Sequence, residues 1–148
     1  SWAEVHGYEG ISTFLYDHVD EERKHMQKFL AFINQRGGHC KITALSEPIA
    51  DPKNLEQLFN EVYAQEVSNS TYINKLVELA SEEKDYPTNN FLQWFVKEQI
   101  EEEALASKLV DSMKVIGEDS GNRGGLYEFD KNIESMHGAQ IAREDDEG

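Results

Sequence analysis

Glu22 and His25 stand three residues apart in the stretch Asp20-Glu21-Glu22-Arg23-Lys24-His25-Met26. On a helix, residues at i and i+3 share a face, so this carboxylate and this imidazole can serve one metal ion or simply one another. Two further places carry acids of the same kind. Glu66 lies between Val62 and Ile73, and Gln99 and Glu102 lie between Phe95 and Leu105, with Glu98 one turn before Glu102. In each case a polar side chain occupies the point of an apolar stripe where a hydrophobe is expected. Burying several carboxylates costs several kcal/mol each unless a cation compensates them, and the nearby Lys24 and Lys97 fall off the stripes. Carboxylates with an imidazole suit iron or manganese, whereas structural zinc prefers thiolates and calcium prefers all-oxygen loops. Iron is the better match.

Taken singly, each of these features has a plainer reading. Glu-x-x-His is common on solvated helices, Glu66 sits at an edge if the helix phase is slightly different, and Glu101-Glu102-Glu103 is by default a solvated charge run. An acid at mid-stripe on three separate helices is what raises the metal reading above those. His6, His18 and His39 show no partner pattern and are read as structural, and Tyr8, Trp94 and Phe95 as core aromatics.

The elements that must position these residues are all helical. The three prolines, Pro48, Pro52 and Pro87, bound long stretches of helix formers with apolar residues at three- and four-residue spacing. The first helix is expected from about Gly7 to Gln35, through Ile11, Phe14, Leu15, His18, Met26, Phe29 and Ile33, and Gly37-Gly38 ends it. Residues 37 to 52 have no helical period and read as a long crossover. The second helix is expected from Pro52-Lys53 to about Glu83, and Asp85-Tyr86-Pro87-Thr88 reads as a short turn into a third, antiparallel helix from about Asn89 to Ile116. After a Gly-rich break, Leu126 to about Met136 is expected as a short extra helix, and residues 137–148 as an acidic, disordered tail. The folded domain is therefore expected over residues 1–136. Three long helices do not enclose a bundle core as four do, and Trp2 and Val5 in residues 1 to 6 read as the last turns of a further helix whose body precedes Ser1.

A chain of 148 residues has room for one domain with a real core. Its formal net charge of −15 repels nucleic acid and anionic membranes, so neither is expected as a partner, and favours cations. Cys40 is the single cysteine, which forbids an internal disulfide and makes the cytoplasm the natural compartment. No apolar run reaches the ~20 residues of a membrane span, and the start lacks the pattern of a signal peptide.

From Ser1 to about Met136 the chain resembles a bacterial-type, non-haem ferritin subunit. The segments that carry the likeness are Trp2-Ala3 with Tyr8-Glu9-Gly10, the run from Asp20 to Met26, the run from Tyr86 to Phe95, Glu98 to Glu103, and Gly125-Leu126-Tyr127. The resemblance implies a ferritin-like four-helix bundle with a long crossover and a short fifth helix, the first long helix being mostly missing from the chain as given. It implies that Glu22 bridges two irons, that His25 completes the first iron's site, and that Glu66 and Glu102 hold the second with Gln99 hydrogen-bonding nearby. A third iron position would draw on Glu21, Glu98, Glu101 and Glu102. Arg23 stands where bacterioferritins carry a haem-ligating methionine, so no haem is expected. A further Glu ligand to the first iron, and a nearby Tyr, would lie upstream of Ser1. The acids of vertebrate three-fold pores are not matched, since Asn89 and Leu92 stand at those positions. The implied activity is iron storage with ferroxidase chemistry, Fe(II) being oxidised by O2 or H2O2 inside a homo-oligomeric cage of 24 subunits. The alternatives are a non-catalytic structural subunit and a di-iron peroxidase of the rubrerythrin kind. The latter is disfavoured because a second Glu-x-x-His and a Cys-rich module are both missing.

Overall fold

The computed structural model describes residues 2–47, 50–117 and 123–145, except for the side chains of Glu134 and of 137–145. Among the described residues all regular structure is helical: α1 (Trp2–Val5), α2 (Glu9–Gln35), α3 (Leu55–Glu82), α4 (Tyr86–Ile116) and α5 (Arg123–Asp145). None of these helices is long and apolar enough to cross a membrane. The chain divides into two compact units, Ser1–Asp51 with Tyr127–Gly138, and Pro52–Leu126 with Ala139–Gly148.

In the first unit α1 stops because Gly7 takes a positive φ of 81°, a left-handed conformation that a glycine adopts without a Cβ penalty. The amides of Gly7 and Tyr8 then bond back to the carbonyls of Glu4 and Ala3 at 3.1 and 3.0 Å. That closure places the start of α2 at Glu9, slightly later than the expected Gly7. Two of the amides left open at the head of α2 are satisfied by α5: Gly10 and Ile11 donate to the Asp130 carboxylate at 3.2 and 2.9 Å. Ile11 and Phe14 of α2 and Phe129 and Ile133 of α5 are buried. The buried and half-buried line of α2 runs through 11, 14, 18, 21 and 25 in steps of three and four, which leaves Met26 about 100° out of phase. Met26, expected to face inward, is accordingly exposed. Gly37, with a φ of 75°, ends α2 where the sequence places its end. In the crossover that follows, Ile42 and Leu45 are exposed.

The second unit is a pair of long helices, α3 and α4, packed side by side. Asn54 caps α3 by accepting from the Gln57 amide at 2.8 Å. Asp85 caps α4, accepting from the Thr88 amide at 3.3 Å and from its hydroxyl at 2.7 Å. This cap corrects the expected start at Asn89. With Asp85 as N-cap, Pro87 falls in the first turn, where its missing N–H costs nothing, and the helix begins at Tyr86. Phe59 and Ile73 of α3 and Phe95, Leu105, Leu109 and Met113 of α4 are buried, whereas Leu76, one turn beyond Ile73, is exposed. The fifth helix extends beyond the expected 126–136 at both ends. The acidic tail expected over 137–148 falls on residues of which only the helical backbone to Asp145 is described.

Candidate metal centre

Four residues of α2 form one polar strip in the first unit: His18, Glu21, Glu22 and His25, at i, i+3, i+4 and i+7, share a face over two turns. His25 Nδ1 lies 3.7 Å from Glu22 Oε2, and His18 Nδ1 lies 3.9 Å from Glu21 Oε2. Both separations exceed hydrogen-bonding distance, so within each pair imidazole and carboxylate stand side by side without being locked together. Glu21 is buried, and Glu22 and His25 are partly exposed. The His18 ring lies nearly parallel to Phe14, with centroids 6.1 Å apart and an interplanar angle of 8°, which fixes its plane. Arg23 points away to solvent, 3.8 Å from Asp20.

In the second unit Glu66 of α3 is 1% exposed, and Glu98, Gln99 and Glu102 of α4 are 4%, 6% and 4% exposed. These are among the most deeply buried polar residues of the chain. Gln99 Nε2 donates across the helix pair to the backbone carbonyl of Glu66 at 3.1 Å and to Glu66 Oε2 at 3.2 Å, with Ser70 Oγ at 3.4 Å. The orientation of that amide is fixed by chemistry, because the reversed rotamer would set its oxygen against a carbonyl and a carboxylate. Asn69 Nδ2 reaches the same Glu66 oxygen at 3.4 Å. Amides stabilise a carboxylate but leave its charge in place, and a buried charge is costly. A divalent cation would compensate it. Glu101 is half-buried on the adjoining face.

The structure thus places Glu21, Glu22 and His25 together on α2, and Glu66 with Gln99 across α3 and α4, beside the buried Glu98 and Glu102 on the Gln99 face. Carboxylates and imidazoles are hard to borderline donors, a set suited to iron and able to stabilise both its ferrous and ferric ions. Two neighbours escaped sequence reasoning. His18, expected to be structural, stands beside Glu21 at the spacing that links Glu22 to His25. Asn69 stands three residues beyond Glu66. The signal in both cases is an i, i+3 step from a mid-stripe acid.

Residues 1–116 match the family model described as the ferritin-like domain. The chain is 38% identical over 136 residues to the probable bacterial non-heme ferritin-like protein of Haemophilus influenzae, covering 92% of this chain and 81% of that one. It is 39% identical over 136 residues to the bacterial non-heme ferritin of Campylobacter jejuni, covering 92% and 80%. Among solved structures, the open pore ferritin of the archaeon Archaeoglobus fulgidus matches with a TM-score of 0.85 and 38% identity, over 90% of this chain and 80% of that one.

Proposed function

The chain belongs to the ferritin family and has its helical-bundle fold, and from that premise we propose that it stores iron and is itself a ferroxidase subunit of an oligomeric cage. The observation that carries this reading is the burial of Glu66, Gln99 and Glu102 in one helix pair, at the positions the resemblance assigns to the second iron. Glu22 bridges the two Fe(II) ions and His25 binds the first. Glu66 and Glu102 bind the second, and Gln99 orients Glu66. Glu21, Glu98, Glu101 and Glu102 receive a third ion beside the pair. No haem is part of this reading, since Arg23 stands where the resemblance places the haem-ligating methionine of bacterioferritins.

Iron is here a substrate. The protein holds two Fe(II) ions close together, so that one oxidant molecule can take an electron from each. With O2 as oxidant, two electrons and two protons give H2O2 and two Fe(III). With H2O2, two electrons and two protons give two waters. Carboxylate ligands favour the ferric product because hard oxygen donors bind the more highly charged ion more tightly. The ferric product then leaves as oxide to the interior of a cage, for which we adopt the family's 24 subunits, working in a reducing cytoplasm.

Stopped-flow oxidation of Fe(II) in air tests the reading. The native assembly is expected to oxidise Fe(II) more than about tenfold faster than the double variant Glu22→Ala, His25→Ala. Equal rates would sink the ferroxidase assignment and leave a non-catalytic structural subunit in its place.

A further inference from the structure

Glu66 Oε2 is approached from two directions. Gln99 Nε2 reaches it across the helix pair at 3.2 Å, and Asn69 Nδ2 reaches it from the next turn of α3 at 3.4 Å. A glutamate carboxylate turns easily about its terminal torsion, a broad and roughly two-fold rotation that exchanges its two oxygens. One donor restrains that rotation along one line only. A second donor, arriving from the residue's own helix, closes the swing that the first leaves open. At 1% exposure, Glu66 has almost no water to do the same work, and polar contacts are stronger in such surroundings. The Gln99 amide is itself anchored at 3.1 Å on the Glu66 carbonyl, so the clamp is tied to backbone at one end.

We propose that Asn69 is a positioning residue for iron oxidation: with Gln99 it clamps Oε2 of Glu66, so that Oε1 is the oxygen presented to Fe(II) at the second iron position. The proposal rests on the reading of Glu66 as an iron ligand. Asn69 touches neither iron nor oxidant and acts through Glu66 alone. Its removal frees the carboxylate to sample geometries that do not bind metal, which weakens affinity at that position. Turnover of ions that do bind is little changed.

The test uses the assembled protein with Asn69→Leu, Asn69→Gln and Glu66→Ala, and Co(II) as the probe. The visible absorption of bound Co(II) reports occupancy without turnover, and stopped-flow oxidation separates KM for Fe(II) from kcat. Asn69→Leu keeps the branching at Cγ, is somewhat larger and loses the donor, whereas Asn69→Gln keeps an amide on a longer stem. The expected result is that the Co(II) step abolished in Glu66→Ala is weakened about three- to tenfold in Asn69→Leu. KM rises in proportion, kcat stays within about twofold, and Asn69→Gln recovers part of the loss. Co(II) binding by Asn69→Leu at native affinity, or equal losses in Leu and Gln, overturns the proposal. Should Leu disturb the fold, Asn69→Ala, a better helix former than Asn, carries the same comparison. If Glu66→Ala itself retains the step, the ligand role of Glu66 fails instead, which is a distinguishable outcome.

Discussion

Single atoms decide two very different things in this chain. At Glu66 they decide where a carboxylate points, since two amides and a burial near completeness leave it little freedom. At Gly10 they decide whether α2 and α5 can approach at all. A Cβ added there would lie 1.8 Å from the carbonyl oxygen of Asp130 and 2.8 Å from its carbonyl carbon, both backbone atoms that no rotamer change can move aside. Alanine is the better helix former by about 1 kcal/mol, but the overlap outweighs that gain. Gly10→Ala is expected to lower stability by about 1–3 kcal/mol, the usual cost of overpacking, seen as a fall in the thermal midpoint. An unchanged or raised midpoint would show that the α2–α5 approach is not tight.

At the scale of elements, helix ends position the candidate ligands within each unit. α2 carries His18, Glu21, Glu22 and His25, and its head is tied down by the two bonds from the Gly10 and Ile11 amides to Asp130. α4 carries Glu98, Gln99 and Glu102, and its start is set by Asp85, which receives both the amide and the hydroxyl of Thr88. Because α3 and α4 are joined by only the short turn at Glu83, Lys84 and Asp85, that cap also helps set the register in which Gln99 meets Glu66. Asp85→Ala is expected to cost about 1 kcal/mol, the typical worth of an N-cap, measured by chemical denaturation. Amide exchange should quicken first in the opening turn of α4, from Tyr86 to Asn89. Protection that survives there unaltered would show that Pro87 alone holds the turn.

For the whole molecule, the formal charge of −15 is the property that matters most to the proposed function, whose substrate is a cation. Repeated over many copies in a cage, that charge would draw Fe(II) toward the protein before any ligand is reached. Such attraction is screened with a Debye length of about 8 Å at physiological salt and about 3 Å at 1 M. The initial rate of oxidation at low Fe(II) is therefore expected to fall several-fold as inert salt is raised from about 0.01 to 1 M, while the rate at saturating Fe(II) holds nearly constant. Equal losses at both concentrations would place the salt effect on chemistry or assembly and not on approach.

Much of this was legible in the residues themselves. The helices follow from three- and four-residue apolar spacing, and two of the acids that interrupt it, Glu66 and Glu102, are buried as their place on a stripe implies, whereas Glu22 is partly exposed. The end of α2 was equally readable, since Gly37 supplies the positive φ that a terminator requires. The phase of a helix to within one residue was not. Met26 looked inward and is exposed, because neighbouring positions differ by 100° and only packing selects between them. Nor could spacing decide whether Asp85-Tyr86-Pro87-Thr88 was a turn or a capped first turn, a choice settled by the bonds Asp85 makes. The partners that reach across sequence lay beyond any local pattern: Asp130 at the head of α2 and Gln99 on Glu66 depend on which helix faces which. Glu22 and His25 could be picked out from their types and spacing. The surroundings that orient Glu66 belong to the tertiary structure, because hydrogen bonds between helices exist only once the helices have packed.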